Sequence, residues 1–323
     1  MDIAYTVSMD GKTPVVSVLM SFRTGAHIAE AVSSILSQTF GDFEFIIIND
    51  GSTSSARGVV LSFNDPRIRI IDNEKNMGLT RSLNRGLAEA RGTYIARMDS
   101  DDIAMPQRFE KQRKFLDTHL DIAGVGTGIA LIDKKGTVQR IKGALTDPEL
   151  IRFRLAFQNQ LVHSSMMLRA DALRAVSGYS EEFVHAQDLE LWGRMSAAGY
   201  RFSNISEPLM HYRLHEASIT QGTTRGKAWE YGLAAIRKNL ERYMPLTDTQ
   251  FETFKNAFLL RSLSSLEETS WAYRFWRQLE RAYLTKEKPS PATAHEIQKM
   301  TAWERYRVPR WYIKTKLRRF IGK

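Results

Sequence analysis

The sequence predicts an α/β fold with a mainly parallel central sheet, followed by a helical C-terminal region. Three observations point to it. Over the first half, short apolar, β-branched runs alternate with segments of helical period, which is the pattern of βαβ units. Two of those runs end abruptly in acidic clusters. Beyond about residue 220 the strand-like runs give way to long amphipathic segments separated by prolines.

Val15 to Met20 reads as the first strand, followed by Gly25 and a helix over Ile28 to Ser37. Phe43 to Ile48 is a second buried strand, stopped by Asn49-Asp50-Gly51-Ser52, and Ile68 to Ile71 is a third. Leu79 to Ala90 is a helix ended by Gly92, and Thr93 to Met98 a fourth strand running into Asp99-Ser100-Asp101-Asp102. Pro106 opens a helix to about Thr118. Ile122 to Arg140 loosens into short strands, Asp147-Pro148 starts a helix, Ser164 to Arg169 is a strand, and Asp188 to Ala197 is a helix. A strand pair over Tyr200–Asn204 and Leu209–Leu214 completes this part. Lys227–Met244, Asp248–Leu266, Ser270–Lys286 and Ala294–Arg305 then read as helices, with one more after Pro309. The expected division is 1–220 and 221–323, the first containing halves of about 14–120 and 121–220.

The chain has 323 residues, 43% hydrophobic and 25% charged, as in an ordinary globular protein. It has no cysteine, which excludes disulfides, thiolate metal sites and cysteine nucleophiles. Met1 to Thr13 is polar and lacks a cationic start and an apolar block, so a secretory signal is not expected. No apolar run is long enough to span a bilayer. A cytoplasmic protein is expected, peripheral on the inner face of the cytoplasmic membrane if its tail attaches there.

The net charge is +10, and residues 302–323 carry eight basic residues against one acid. So local an excess argues for a local anionic partner and against nucleic acid. No phosphate-binding Gly-x-x-x-x-Gly-Lys loop or dinucleotide fingerprint is present.

In an open parallel sheet, ligands collect beyond the C-terminal strand ends, where both acidic clusters fall. Three carboxylates within four residues (Asp99, Asp101, Asp102) repel one another unless a cation or donors compensate them. Their hard oxygens suit Mg²⁺ or Mn²⁺, which commonly bridge protein to phosphate. Taken alone, the cluster is also a solvated turn capping a helix, Asn49-Asp50-Gly51 is also a simple turn, and Asp188 is also a helix N-cap.

Taken together, the segments resemble the family-2 glycosyltransferases of the GT-A fold. The resemblance rests on Val16-Ser17-Val18-Leu19-Met20, Ser34 to Phe40, Phe43 to Thr53, Asn76 with Gly78-Leu79, Asn84-Arg85-Gly86, Gly92 to Asp102 and Met105-Pro106-Gln107-Arg108, in order over about 100 residues. It implies an inverting, metal-dependent transferase using a nucleotide-diphospho-sugar, with UDP-sugars favoured. It places Met20, Phe22, Asp50, Asn76, Arg81, Asp99 and Ser100 at the nucleotide. Asp101 and His215 become ligands of Mn²⁺ or Mg²⁺, with His211 a competitor of His215. Asp188, in Gln187-Asp188-Leu189-Glu190-Leu191-Trp192, becomes the catalytic base. Arg213, His163, Gln187 and Trp192 fall on the diphosphate and acceptor side. The usual Pro-x-Tyr-Asn end of the first strand reads Met20-Ser21-Phe22-Arg23 here, and Gln187 stands where an acid often precedes the base. The implied acceptor is a hydroxyl of a glycan or lipid-linked glycan in surface polysaccharide or lipopolysaccharide synthesis. The alternative is a non-catalytic module that keeps the fold as a binding scaffold. A phosphotransferase using Asp99 as nucleophile is disfavoured because its motif belongs on a first strand.

At the C-terminus, Ile313, Leu317, Phe320 and Ile321 share one helical face flanked by Lys and Arg, with Trp303, Tyr306, Trp311 and Tyr312 upstream. A basic amphipathic helix with such aromatics suits attachment to a membrane surface.

Overall fold

The computed structural model describes residues 13–52, 54–214 and 225–320. Strands β1 (Val16–Phe22), β2 (Phe43–Asn49), β3 (Ile68–Asp72) and β4 (Tyr94–Asp99) run parallel in the order β3-β2-β1-β4. Helices α1 (Ile28–Leu36), α2 (Ser54–Leu61) and α3 (Leu79–Glu89) connect them. Every residue of β1 and β2 is buried, because helices cover both faces. On one face Ile28, Val32 and Ile35 of α1 join Val16, Val18 and Met20 in the core. On the other, α3 comes so close that a Cβ on Gly86 would lie 2.7 Å from Ile48 Cδ1. The tight approach accounts for glycine at that position.

The sheet continues through β5 (Ile103–Ala104), α4 (Arg108–Thr118), β6 (Ile122–Ile132), β7 (Val138–Lys142), α5 (Pro148–Leu155), β8 (Met167–Arg169), α6 (Ala170–Ala175), α7 (Gln187–Ala197) and β9 (Arg201–Arg213). Its order is β3-β2-β1-β4-β8-β6-β9-β5, with β7 paired to β6. The short β8 is antiparallel to both β4 and β6. Two expectations are corrected here. The loose stretch after Ile122 opens with a single 11-residue strand. The expected strand pair is one strand, β9, paired in parallel with β6 across a bulge where partners jump from Ile205 to Pro208. Glu207-Pro208 reads as a break in sequence, but a bulge absorbs the proline. Gly128 makes room for it, since a Cβ there would collide with the Ser206 carbonyl.

Away from the strand C-termini, a buried carboxylate ties the sheet together. Glu44 accepts from Ser17 Oγ (2.7 Å), Arg91 N (2.8 Å), Arg91 Nη2 (2.9 Å) and Arg69 Nη1 (2.9 Å). Burial pushes its carboxyl up, but these donors outweigh that and hold it below the usual glutamate range. Its stabilisation is therefore present above the unfolded-state pKa and lost as pH falls through the folded one. Glu44→Ala is expected to lower stability by about 2 kcal/mol at neutral pH, the arginine ends being partly exposed and screened. The difference from wild type should shrink in urea titrations run in acid.

The C-terminal helices are α8 (Arg225–Glu241), α9 (Asp248–Phe254), α10 (Leu266–Glu287) and α11 (Pro291–Phe320). The helix expected to run to Leu266 ends at Phe254, followed by a π-helical turn over Lys255–Leu259. Arg261 turns the chain at φ 53°, and a capping box between Ser265 and Glu268 starts α10. Pro309 does not begin a new helix; α11 runs through it. Burial of its neighbours Val308 and Trp311 offsets the lost backbone hydrogen bond. The chain divides into two compact units, one drawn from Met1–Ile151 and Asn159–Leu233, the other from Arg152–Gln158 and Ala234–Lys323. In the second, Val308 and Trp311 pack with Ala257, Leu263 and Ala272.

Candidate functional site

Because β1 lies between β2 and β4, Phe22 faces Asn49 and Ser21 faces Asp99, so both acidic clusters open on one sheet edge. Asp50 follows β2 and is buried. Its Oδ1 accepts from Met77 N (2.7 Å) and Asn73 Nδ2 (2.9 Å), and its Oδ2 from Gly78 N (3.0 Å). Gly78 precedes α3 and has no side chain to cap it, so Asp50 supplies the anion at that helix N-terminus. Gly51 stands at φ 68°, and a Cβ there would lie 2.6 Å from Asn76 N, so the two loops touch. Asn76 itself is exposed, its Oδ1 accepting from Gly78 N at 3.0 Å.

Beyond β4, one carboxylate oxygen from each of Asp99, Asp101 and Asp102 lies within 4.8 Å of the others. Burial raises the Asp99 carboxyl, opposed by Arg97 and reinforced by Asp101. Asp102 is raised well above the usual range, first by burial and then by the charges of Asp99 and Asp101. Its Oδ1 accepts from Arg213 N at 2.9 Å. Its buried Oδ2 makes no hydrogen bond of normal geometry among the described residues, although the Ser164 side chain is near enough to oppose the rise. Mutual repulsion, an unsatisfied buried oxygen and an all-oxygen donor set are what a hard divalent cation relieves, so the residues fit Mg²⁺ or Mn²⁺. Ser100, partly buried, lies within this turn.

Two buried arginines frame the cluster. Arg97 Nη2 donates to Asp99 Oδ1, and its Nε has no partner among the described residues. Arg213 donates from Nε to Asp101 O (2.8 Å), from Nη1 to Asp133 O (3.2 Å) and Lys134 O (3.1 Å), and from Nη2 to Glu30 Oε2 (2.8 Å). These bonds tie the guanidinium to the acidic turn, to α1 and to the β6–β7 turn, at the residue expected on the diphosphate side. Arg213→Ala is expected to destabilise the protein by about 3 kcal/mol, read as a lower urea midpoint, since Glu30 and three carbonyls lose their donor. A third arginine, Arg108, bonds Arg97 O at 2.7 Å, and burial brings its pKa down to about 9.

Asp188 sits in the first turn of α7, half-buried, after Ala186 in the left-handed region at φ 52°. Asn159 Nδ2 donates to its Oδ2 at 2.7 Å. Burial raises its carboxyl against the backbone N–H groups and Asn159, and Asp99 is near enough to raise it further. The base candidate thus lies within reach of the Asp99 charge. His163 Nε2 meets Tyr179 Oη at 2.8 Å, and burial, with Arg97, keeps the ring neutral well below its usual pKa. Gln187 is buried beside Asp188 in sequence.

Of the other expected residues, three are buried. Met20 and Phe22 are in the core, and Trp192 is fully buried, edge-on to His163 and Phe202. Arg81 is exposed and pairs with Glu181 at 3.0 Å. His211 is half-buried opposite Ile103, and burial lowers its pKa. His215 lies outside the described residues. Asn159, Tyr179 and Glu30 carry no signal in the sequence; each is a polar residue in a loop or helix turn outside any periodic pattern. Arg97 had one, a charge in the middle of a buried strand.

The family described as Glycosyl transferase family 2 matches residues 17–176. A putative glycosyltransferase of Bacillus subtilis, EpsE, is 36% identical over 213 residues, 64% of this chain and 74% of that protein. An O-antigen biosynthesis glycosyltransferase of Escherichia coli, WbnJ, is 33% identical over 63% of this chain and 81% of that one. Among solved structures, S. aureus TarS 1-349 in complex with UDP-GlcNAc aligns with TM-score 0.60 and 17% identity, covering 95% of this chain and 92% of that chain.

Proposed function

The chain belongs to glycosyl transferase family 2, and from that premise we propose that it moves a sugar from a nucleotide-diphospho-sugar, a UDP-sugar first, to a hydroxyl of a glycan or lipid-linked acceptor, with inversion. The observation that carries this reading is the acidic turn, where one oxygen each of Asp99, Asp101 and Asp102 lies within 4.8 Å of the others, with Asp188 within reach of the Asp99 charge. The GT-A fold is common ground with the TarS structures. Relatives named for O-antigen, amylovoran and teichuronic acid synthesis support a place in surface polysaccharide assembly.

In this reading the catalytic part lies before about residue 220. The nucleotide rests against the β1 and β2 ends and the Asn76–Arg81 segment, which Asp50 holds in shape. The carboxylate of Asp188 takes the proton of the acceptor hydroxyl as its oxygen forms the bond to the anomeric carbon. The bond from that carbon to the β-phosphate oxygen breaks, and its electron pair leaves with the nucleoside diphosphate. Asp101, with Asp99 and Asp102, would hold Mn²⁺ or Mg²⁺, which neutralises the charge developing on the diphosphate. General-base assistance is worth about 10²–10⁴-fold.

The first test is a thermal-shift panel of UDP, GDP, dTDP and CMP with and without Mn²⁺. A nucleotide at 100 times its dissociation constant adds about 2.7 kcal/mol. A metal-dependent shift with UDP is the expected result. No shift with any nucleotide would favour the non-catalytic scaffold.

We also place the protein at the cytoplasmic face of a membrane through α11. No helix among the described residues is long and apolar enough to cross a membrane. On α11, Ile297, Thr301, Val308 and Trp311 are buried, whereas Trp303, Tyr306 and Ile313 are more than half exposed. The exposed three share one face with Arg310, which lies over the Tyr306 ring at 4.1 Å. Interfacial aromatics beside cations suit an anionic lipid surface. The intact protein is expected to float with phosphatidylglycerol vesicles and to be released by salt. A triple variant with Trp303, Tyr306 and Ile313 changed to Ser should stay behind. Equal flotation of that variant, or none by the intact protein, would discard this attachment.

A further inference from the structure

Asn159 stands in the loop between α5 and β8, four residues before His163. Two hydrogen bonds define its side chain. Its Oδ1 accepts from Leu161 N at 3.0 Å, which fixes the amide so that the NH₂ end points away from the backbone of its own loop. That NH₂ end donates to Asp188 Oδ2 at 2.7 Å. A backbone amide thus orients a side-chain amide, which in turn orients a carboxylate. The loop has a firm anchor, because Ser165 N donates to Val162 O at 2.9 Å and His163 is bonded to Tyr179.

From this relay we propose that Asn159 is the positioning residue of the proposed general base, holding one oxygen of Asp188 so that the carboxylate plane is set before an acceptor arrives. The inference rests on the reading of Asp188 as that base. The physical need for such a residue is visible at the site. Asp188 stands on the first turn of a helix that follows a left-handed alanine; backbone N–H groups of that turn reach its carboxylate, and Asn159 further narrows its freedom about χ1 and χ2. A carboxylate that must meet a hydroxyl at hydrogen-bond distance gains from losing that freedom beforehand. The charged and titratable groups facing Asp188 are Asp99 from β4, and Tyr179, which also senses Arg97. Asp99 could donate only when protonated, and the Tyr179 hydroxyl is engaged with His163 Nε2 at 2.8 Å. Asparagine keeps its donor at every pH.

The test follows the Asp188 carboxyl carbon by ¹³C NMR in protein labelled at aspartate, assigned by its disappearance in Asp188→Asn. In Asn159→Ala the Asp188 titration midpoint is expected to rise by roughly 0.5–1 pH unit, the loss of one charge-assisted hydrogen bond. In Asn159→Asp it should rise further, because the donor becomes a like charge. The thermal midpoint should stay near wild type in Asn159→Ala, since the residue is exposed. An Asp188 midpoint unchanged in Asn159→Ala overturns the proposal, and so does a rise that appears only with a collapsed thermal midpoint. The underlying reading fails separately. If Asp188→Asn released UDP from UDP-N-acetylglucosamine as fast as wild type, Asp188 would not be the base, whatever its titration showed.

Discussion

Asp101→Ala is expected to lower sugar transfer by about 10³-fold or more and to remove the Mn²⁺-dependent part of nucleotide stabilisation. The cause is electrostatic. Three carboxylates are held with an oxygen each inside 4.8 Å, and Asp102 Oδ2 is buried without a hydrogen bond of normal geometry among the described residues. Removing Asp101 relieves repulsion, so the apo protein should lose no stability and its thermal midpoint should hold or rise slightly. That combination, a fold intact or firmer with the metal response gone, separates a ligand from a structural residue. Calorimetric titration of UDP in Mn²⁺ reads it directly. Undiminished metal-dependent UDP binding in the variant would remove Asp101 from the ligand set.

Asp188→Asn should cut turnover by about 10²–10⁴-fold while leaving UDP affinity unchanged, because the amide keeps the shape but takes no proton. The wild-type pH profile carries the complementary signature. Burial, and then the charge of Asp99, raise the Asp188 carboxyl above the ordinary aspartate range. Activity should therefore fall as pH drops through that raised value, at a higher pH than a free aspartate would show. Asp188→Asn should abolish this acidic limb. A residual limb of the same midpoint in the variant would assign it to another group, with Asp99 the first suspect, since it too is raised.

Some of this was legible without coordinates. Asp50 and the Asp99–Asp102 turn were findable because a buried strand in a parallel sheet must end somewhere, and carboxylates at that end have a local cause. Strand–helix alternation is likewise a short-range pattern, carried by side-chain period. The helix breaks in the C-terminal region were harder. Pro309 is a sound local stop signal, and only the burial of Val308 and Trp311 on a packed face overrides it. The bulge in β9 hid for the same kind of reason: Glu207-Pro208 looks like a turn until β6, with Gly128, supplies the partner.

The residue order alone determines the fold class, the placement of two acidic clusters at strand ends and the identity of the residues able to ligate a hard cation or take a proton, since each depends on neighbours within a few positions. What the side chains do with those positions is a long-range matter. Arg213 and Glu30 meet across 183 positions of chain, Asn159 and Asp188 across 29. That Arg213 ties the acidic turn to α1, that Trp192 packs edge-on to His163 and Phe202, and that an amide reaches Asp188 all follow from contacts between distant segments. Such contacts leave no period in the sequence, because the free energy that orders them comes from burial and hydrogen bonding in the assembled fold.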